Sequence, residues 1–341
     1  SQLSFGAHLS RIMAPVDAFT EAVGKDRSGR LALVLSTLVA QAAPTCHACG
    51  SANTAVIARF AERTYRRCAS CGVISLESFV AERKRYGARY FHAEYKAQYG
   101  RTYLEDFESI KTASRVRVRV VKELLRSFSS GRIHRSSPSG RIYYRDVDGA
   151  VVDVGCAYGP FLDAARDAGM AGYGIDVSPQ AVAYVRNRLG IPALCAPFET
   201  VGRNALPRRI AAVTLWYVIE HFTDTELVLR KASALLPQGG VFAFSTPNGR
   251  GISARKSLVE FLRRSPADHF TVLSPRGLRR LLARYGLDLR RVRVTGHHPE
   301  RFPGLLGRAA DRSPWMYRVL GAASRALGLG DTFEAYAVKG E

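Results

Sequence analysis

Four of the six cysteines stand in two Cys-x-x-Cys pairs, Cys46 with Cys49 and Cys68 with Cys71, each followed by a glycine. Two such knuckles suit a tetrahedral Zn2+, whereas a redox Cys-x-x-Cys comes singly. All four positions are thiolates, which leaves no place for a catalytic water, so the predicted ion is structural. Cys156 and Cys195 are expected as packing residues, and His47 as a bystander. A second chemistry-bearing run is Asp153-Val154-Gly155-Cys156-Ala157-Tyr158-Gly159. A glycine-rich turn from strand to helix lets a ligand approach the backbone, and the helix N-terminus adds free N–H donors. Asp176 follows about 20 residues beyond the turn, where a carboxylate can hold ribose hydroxyls. Together they predict an adenosine-containing cofactor. Neither the Gly-x-Gly-x-x-Gly dinucleotide fingerprint nor the Gly-Lys-Ser/Thr of a P-loop is present in the sequence.

His221 and His269 are the imidazoles of the segments expected at the same edge. Either could accept a hydroxyl proton near neutral pH, and either could equally be a hydrogen-bonded structural histidine. His269 is preferred as the base, because it lies in a loop able to cover the site. Asn248 is expected to orient a substrate, and Glu220 to anchor a loop or helix terminus.

The elements that must position these residues follow from the apolar pattern. From residue 150 onward, short apolar runs alternate with helical periodicity. Strands are predicted at 150–155, 172–176, 191–195, 211–217, 241–247, 287–295 and 332–338. Helices are predicted at 160–168, 179–189, 226–236 and 276–285. Such alternation implies a mostly parallel sheet covered on both faces. The last two strands are expected to form a hairpin around a long helical insertion, 303–327. Upstream the reading is a helical segment at 1–44, a four-cysteine zinc ribbon at 45–75, a helical connector at 76–126 and a flexible basic loop at 127–149. The cofactor domain then fills 150–341. In the connector, Tyr86, Tyr90, Phe91, Tyr95, Tyr99, Tyr103 and Phe107 recur at spacings near four, as in amphipathic helices packed on a neighbour.

The order of motifs resembles that of class I S-adenosylmethionine-dependent methyltransferases, whose first motif reads Asp-x-Gly-x-Gly-x-Gly. The segment from Leu215 to His221, LWYVIEH, is similar to the one after the family's fourth strand. Leu235-Leu-Pro-Gln-Gly-Gly240 is similar to the turn before its fifth strand. Ser245-Thr-Pro-Asn248 and Pro266-Ala-Asp-His-Phe270 match segments of one subgroup. Three positions depart from the pattern. Ala157 replaces the middle glycine, Ile210-Ala211 replaces Phe-Asp, and Cys195-Ala-Pro-Phe198 lacks the acidic residue on the adenine side. Phe198 either stacks on the adenine or belongs to the core, and Glu199 is a substitute acid.

The resemblance implies an α/β, Rossmann-like fold with a mostly parallel seven-stranded sheet, preceded by the small zinc ribbon and helical segments. It implies S-adenosyl-L-methionine as cofactor, held by Asp153, Gly155, Cys156, Ala157, Tyr158, Gly159, Phe161, Asp176, Val177, Phe198 and Trp216. Tyr217 and Asn248 would face the acceptor. Members with a Cys-pair module include enzymes of sugar and secondary metabolism. The implied reaction is therefore methylation, on oxygen, of a small molecule or glycan. An RNA methyltransferase that grips phosphates with its zinc module, and a non-catalytic zinc-ribbon scaffold, are the alternative readings.

Composition bounds these readings. The chain has 341 residues, 47% hydrophobic and 23% charged, which excludes wholesale disorder. Lys plus Arg exceed Asp plus Glu by 50 − 29, or +21. Such a surface attracts anions, whether an anionic acceptor, nucleic acid or an acidic membrane face, or it is simply rich in arginine. The run LALVLSTLVAQAA at 31–43 mimics a signal-peptide core. Its preceding acids Asp17, Glu21 and Asp26 spoil a basic leader, and Leu31, Val34, Leu35 and Leu38 fit one helical face. A cytoplasmic protein is expected.

Overall fold

A computed structural model describes residues 45–46, 48–78, 91, 95–130 and 149–340. The segment expected to be helical at 1–44, most of 79–94 and the loop at 131–148 lie outside the described residues. Three strands come first: β1 (Thr54–Arg59), β2 (Arg63–Cys68) and β3 (Ile74–Ser78). Helices α1 (Tyr95–Tyr99) and α2 (Phe107–Ser130) follow. The alternating part runs β4 (Ala150–Val154), α3 (Pro160–Asp167), β5 (Gly172–Asp176), α4 (Pro179–Asn187), β6 (Ala193–Cys195), β7 (Ile210–Trp216), α5 (Thr225–Leu235) and β8 (Val241–Pro247). Short helices α6 (Ile252–Lys256) and α7 (Leu258–Arg264) lead to β9 (Thr271–Val272), α8 (Pro275–Ala283) and β10 (Leu287–Thr295). Helices α9 (Leu305–Arg312) and α10 (Pro314–Ala326) precede the last strand, β11 (Thr332–Lys339).

Seven strands form one sheet in the order β10-β11-β8-β7-β4-β5-β6. The five central and flanking strands β4 to β8 pair in parallel, and β11 is antiparallel to both β8 and β10. The expected hairpin around a helical insertion is thus present. β4, β7 and β8 are apolar along almost their whole length because both faces are covered. On one face Val213, Leu215, Phe242 and Phe244 pack with α5 and α8. On the other, Val151, Ala212 and Ala243 pack with α2, α3 and α4 through Val118, Val121, Leu162 and Val185. Local signals set the helix starts. Pro179 opens α4 behind a Ser178 cap that accepts from the Ala181 N–H, and Asp224 caps α5 by accepting from the Leu227 N–H.

The sequence pattern did not indicate the second sheet, of order β1-β2-β3-β9. Its last strand comes from the far side of the cofactor domain: Ile74 pairs with Val272 and Ser75 with Thr271. The Cys-pair module is therefore sewn into the rest of the chain, and Thr45–Glu341 forms one compact unit. The drawn divisions at 75/76 and 126/127 fall inside β3 and α2. No helix among the described residues is long and apolar enough to cross a membrane.

Candidate active site and cysteine centre

The glycine-rich turn sits where β4 gives way to α3, at the C-terminal edge of the parallel strands, the edge that binds ligands in open α/β sheets. Gly155 has φ +68°. A Cβ added there would lie 2.4 Å from a methyl of Val218, so no larger residue fits this turn. Ala157 also occupies the left-handed region, at φ +48°, and its N–H donates to Asp176 Oδ2 at 2.8 Å. The other Asp176 oxygen accepts from the Ser178 N–H at 2.8 Å. Asp176 thus welds the turn to the end of β5. Each carboxylate oxygen has a further lone pair for a ribose hydroxyl. Burial raises its pKa, against the backbone N–H groups that lower it. Val177, next in sequence, is exposed and offers an apolar surface beside the carboxylate.

Several expected cofactor contacts have other partners in the structure. Asp153 is buried below the turn and accepts from the Thr214 hydroxyl. Burial pushes its pKa up to about 7, against that hydrogen bond and the Arg117 charge, which lower it. Cys156 and Phe161 are buried in the core, and the Phe161 ring packs on Trp216 at 5.1 Å. Phe198 is a correction: its ring lies in the core against Phe222, and Lys231 Nζ stands 4.9 Å over it. No face is left for an adenine. Asn248 is a second correction. It is 1% exposed, its Nδ2 donates to the Gly330 carbonyl, and its Oδ1 accepts from the Arg250 N–H. Its side chain pins the base of the helical insertion to the end of β8 and does not face a substrate.

Tyr158 lies in an aromatic nest with Phe91, Tyr103 and Tyr184, at ring separations of 4.9, 5.8 and 5.1 Å. Phe91 and Tyr103 of the aromatic stripe therefore pack on Tyr158 of the glycine turn. Tyr103 was read only as part of that stripe. Burial raises its phenol, and the charges of Tyr95, Asp153 and Asp176 add to the shift. Arg117 of α2 was also missed. Its guanidinium stands 4.6 Å from the Trp216 ring and 5.7 Å from that of Tyr217, while its Nε donates to Glu334 at 2.8 Å. Tyr217 is exposed and strained, at φ +59°, with its N–H donating to the Ser245 carbonyl. Strained backbone of this kind costs on the order of 1–3 kcal/mol and clusters at functional sites.

His221 and His269 do come together, in T-shaped contact at 4.7 Å between ring centroids. His221 follows β7 on a short turn, and His269 arrives on the strap before β9. The strap is fixed by Phe270, whose N–H donates to the Glu220 carbonyl at 2.7 Å. The residue that organises the pair is Asp268. His221 Nδ1 is 3.0 Å from its carbonyl and 3.2 Å from its carboxylate. Burial lowers the His221 pKa, but the Asp268 hydrogen bond and the charges of Glu220 and Asp268 outweigh it and raise it above 6.5. Glu220 is fully buried, and burial raises its carboxyl in turn. Asp268 was visible in the Asp-His pair of the sequence, but nothing in that pair shows that the acid serves the other histidine.

The four cysteines converge and are buried. Sγ of Cys46 lies 3.6 Å from that of Cys71, and Sγ of Cys49 lies 3.7 Å from that of Cys68. A tetrahedron with metal–sulfur bonds of about 2.3 Å has edges of about 3.8 Å, so the donor set fits one Zn2+. Tyr285 donates to the Ala48 carbonyl at 2.6 Å and Arg284 to that of Cys49 at 3.1 Å, which fastens the knuckles to the end of α8.

Comparison with known proteins agrees with this geometry. Residues 122–292, half of the chain, match the family model described as a methyltransferase domain. A ubiquinone biosynthesis O-methyltransferase of Chromobacterium violaceum is 28% identical over 160 residues, which cover 44% of this chain and 68% of that protein. The corresponding enzyme of Thiobacillus denitrificans is 26% identical over 159 residues, with the same coverage. Among solved structures, an S-adenosylmethionine-dependent methyltransferase of Archaeoglobus fulgidus aligns over 72% of this chain and 98% of its own, at 14% identity and a TM-score of 0.45. A magnesium protoporphyrin IX methyltransferase of Synechocystis aligns over 73% and 96%, at 12% identity and a TM-score of 0.44. With a family model over half its length and the glycine turn at the edge of its sheet, the chain belongs to the methyltransferase-domain family and is a class I S-adenosylmethionine-dependent methyltransferase.

Proposed function

We propose that this enzyme methylates a hydroxyl of a small-molecule or glycan acceptor, with His221 as general base. The observation that carries the reading is the Asp268–His221 pair at the sheet edge that carries the glycine turn. When bound, S-adenosylmethionine supplies an electrophilic methyl group on a sulfonium. Asp176 would hold its ribose, the Gly155–Gly159 turn its methionine portion, and Val177 one side of its adenine. A neutral hydroxyl is a weak nucleophile, so a base in hydrogen-bond reach raises the rate. His221 Nδ1 lies within hydrogen-bond distance of the Asp268 carbonyl and carboxylate, and with the proton held there Nε2 would be the basic nitrogen. Tyr217 and Arg117 line the acceptor side, and the guanidinium accommodates an anionic group. The names of the curated relatives support transfer to oxygen. The four thiolates would hold a structural Zn2+ with no open position, so the metal takes no chemical part.

This assignment prefers His221 over His269, because the Asp268 carboxylate stands 3.2 Å from its Nδ1. The test begins with a methyl-transfer screen against phenols, sugar nucleotides and RNA. His221→Ala is expected to lower turnover by roughly 10²–10⁴-fold with little change in cofactor affinity. Asp268→Asn removes an interaction that raises the His221 pKa, so the acid limb of the pH–rate profile moves to lower pH while turnover falls. Normal turnover and an unmoved profile in both variants would sink the assignment, and transfer to RNA alone would replace the substrate class.

A further inference from the structure

Six of the twelve exposed large apolar side chains among the described residues, Tyr317 at 45% included, lie in the helical insertion between β10 and β11. Leu305 is 79% exposed, Leu306 49%, Trp315 66%, Val319 43% and Leu327 66%. On α10 the exposed residues Trp315, Val319, Ala322 and Ala326 are spaced by four, three and four, which is one face of a helix. The opposite face is anchored by buried Leu320, Gly321 and Ser324. Sequence patterning identified this insertion, and neither the cofactor cradle nor the histidine pair uses it. Apolar patches left exposed on a soluble fold mark an interaction site.

The charges around the stripe name the partner. Residues 303–330 contain four arginines, Arg308, Arg312, Arg318 and Arg325, against the single acid Asp311, and all four arginines are exposed. We propose that the α9–α10 insertion docks on an anionic lipid bilayer, with the Trp315 stripe in the headgroup–acyl boundary and the arginines on lipid phosphates. A helix with aromatic and aliphatic residues on one face and arginines beside it is the pattern of an interfacial helix. Nucleic acid would satisfy the arginines but offers no apolar medium for Leu305 and Trp315. A second copy in a two-fold pairing would set four arginines against the same four. The net charge of +21 adds long-range attraction to the same surface.

The placement gives docking a use. Thr295 and Thr332, which flank the insertion, are register partners, and Thr332 also faces Pro247 at the C-terminal end of β8. The insertion therefore leaves the sheet at the edge that carries the glycine turn and His221. Its base is tied there by the Asn248 N–H, which donates to the Asp331 carbonyl at 2.7 Å, and by Arg301, which donates to the Asp331 carboxylate at 2.7 Å. Docking does not depend on which acceptor is methylated or on which histidine is the base.

The test uses the full chain and vesicles of 30% phosphatidylglycerol in phosphatidylcholine, with pure phosphatidylcholine as control, at about 0.1 M salt. Co-sedimentation is expected with the anionic vesicles and at least tenfold weaker with the neutral ones. The chain has two tryptophans, and Trp216 is only partly exposed inside the fold. Emission from Trp315 is expected to shift to the blue and to be quenched by brominated acyl chains. The double variant Trp315→Glu, Val319→Glu should lose at least tenfold in vesicle binding with cofactor affinity unchanged. Because both positions are exposed, folding is checked by circular dichroism, and quenching in the unaltered chain stands independently. Vesicle binding that survives the double variant, or no binding and no quenching, overturns the proposal. Self-association or RNA binding lost in that variant, without vesicle binding, would assign the face to that partner instead.

Discussion

At the scale of single residues, Ala157 stands where the left-handed turn favours glycine. Its φ of +48° sets the Cβ near the following carbonyl, which costs about 1–2 kcal/mol in an L-residue. The turn keeps that conformation because Asp176 holds the Ala157 N–H. Ala157→Gly is therefore expected to stabilise the chain by about 1 kcal/mol, or about 1–2 °C in melting temperature, without weakening S-adenosylmethionine binding. A lower melting temperature, or a cofactor affinity reduced tenfold, would show that the methyl group packs against something useful. Residue types and spacing made the cradle legible, because Gly155 and Asp176 act through backbone geometry and sequence distance. Phe198 and Asn248 were misread for one shared reason. An aromatic ring and an amide at a strand end serve a ligand or the protein's own interior equally well, and only neighbours such as Lys231 and Gly330 decide between them. Asp268 escaped because its partner, His221, is 47 positions away.

At the scale of elements, the connection of most consequence is β9, two residues long. Apolar periodicity cannot reveal a strand that short, and a pairing across almost two hundred positions leaves no local trace, whereas β4, β7 and β8 announced themselves as buried runs. Through β9 the cysteine knuckles and the strap of Asp268 and His269 share one sheet, and the Leu76 N–H donates to the Phe270 carbonyl at 2.8 Å. If the four thiolates hold the proposed Zn2+, a chelator that strips it should loosen β2 and β3 first, because a module this small has little core of its own. The strap would then lose its outer partner. Hydrogen exchange at the amides of Leu76 and Thr271 is expected to rise at least tenfold and turnover to fall. Cofactor binding should persist, because the cradle rests on β4 and β5. Unchanged exchange at Thr271 in metal-free protein would uncouple the two centres.

At the scale of the whole molecule, pH acts on stability through two opposed effects. A chain with a net charge of +21 repels itself, and acid increases that charge as carboxylates protonate. Asp153 works the other way. It is buried at the centre of the sheet, and burial lifts its pKa from 3.8 to about 7. Between those values the folded chain holds a proton that the unfolded chain releases, so stability falls as pH rises, and it levels off once both states are ionised. A shift of about three units corresponds to on the order of 4 kcal/mol across that window. Asp153→Asn cannot ionise and leaves the +21 background almost unchanged. Whatever its offset, the stability of the variant relative to the parent should therefore climb between pH 4.5 and 7.5 and then stay flat. Urea unfolding of the ligand-free proteins at several pH values measures that difference directly, with self-repulsion cancelling between them. A difference independent of pH would mean that Asp153 is ionised throughout, held by Arg117 and Thr214 against the cost of its burial.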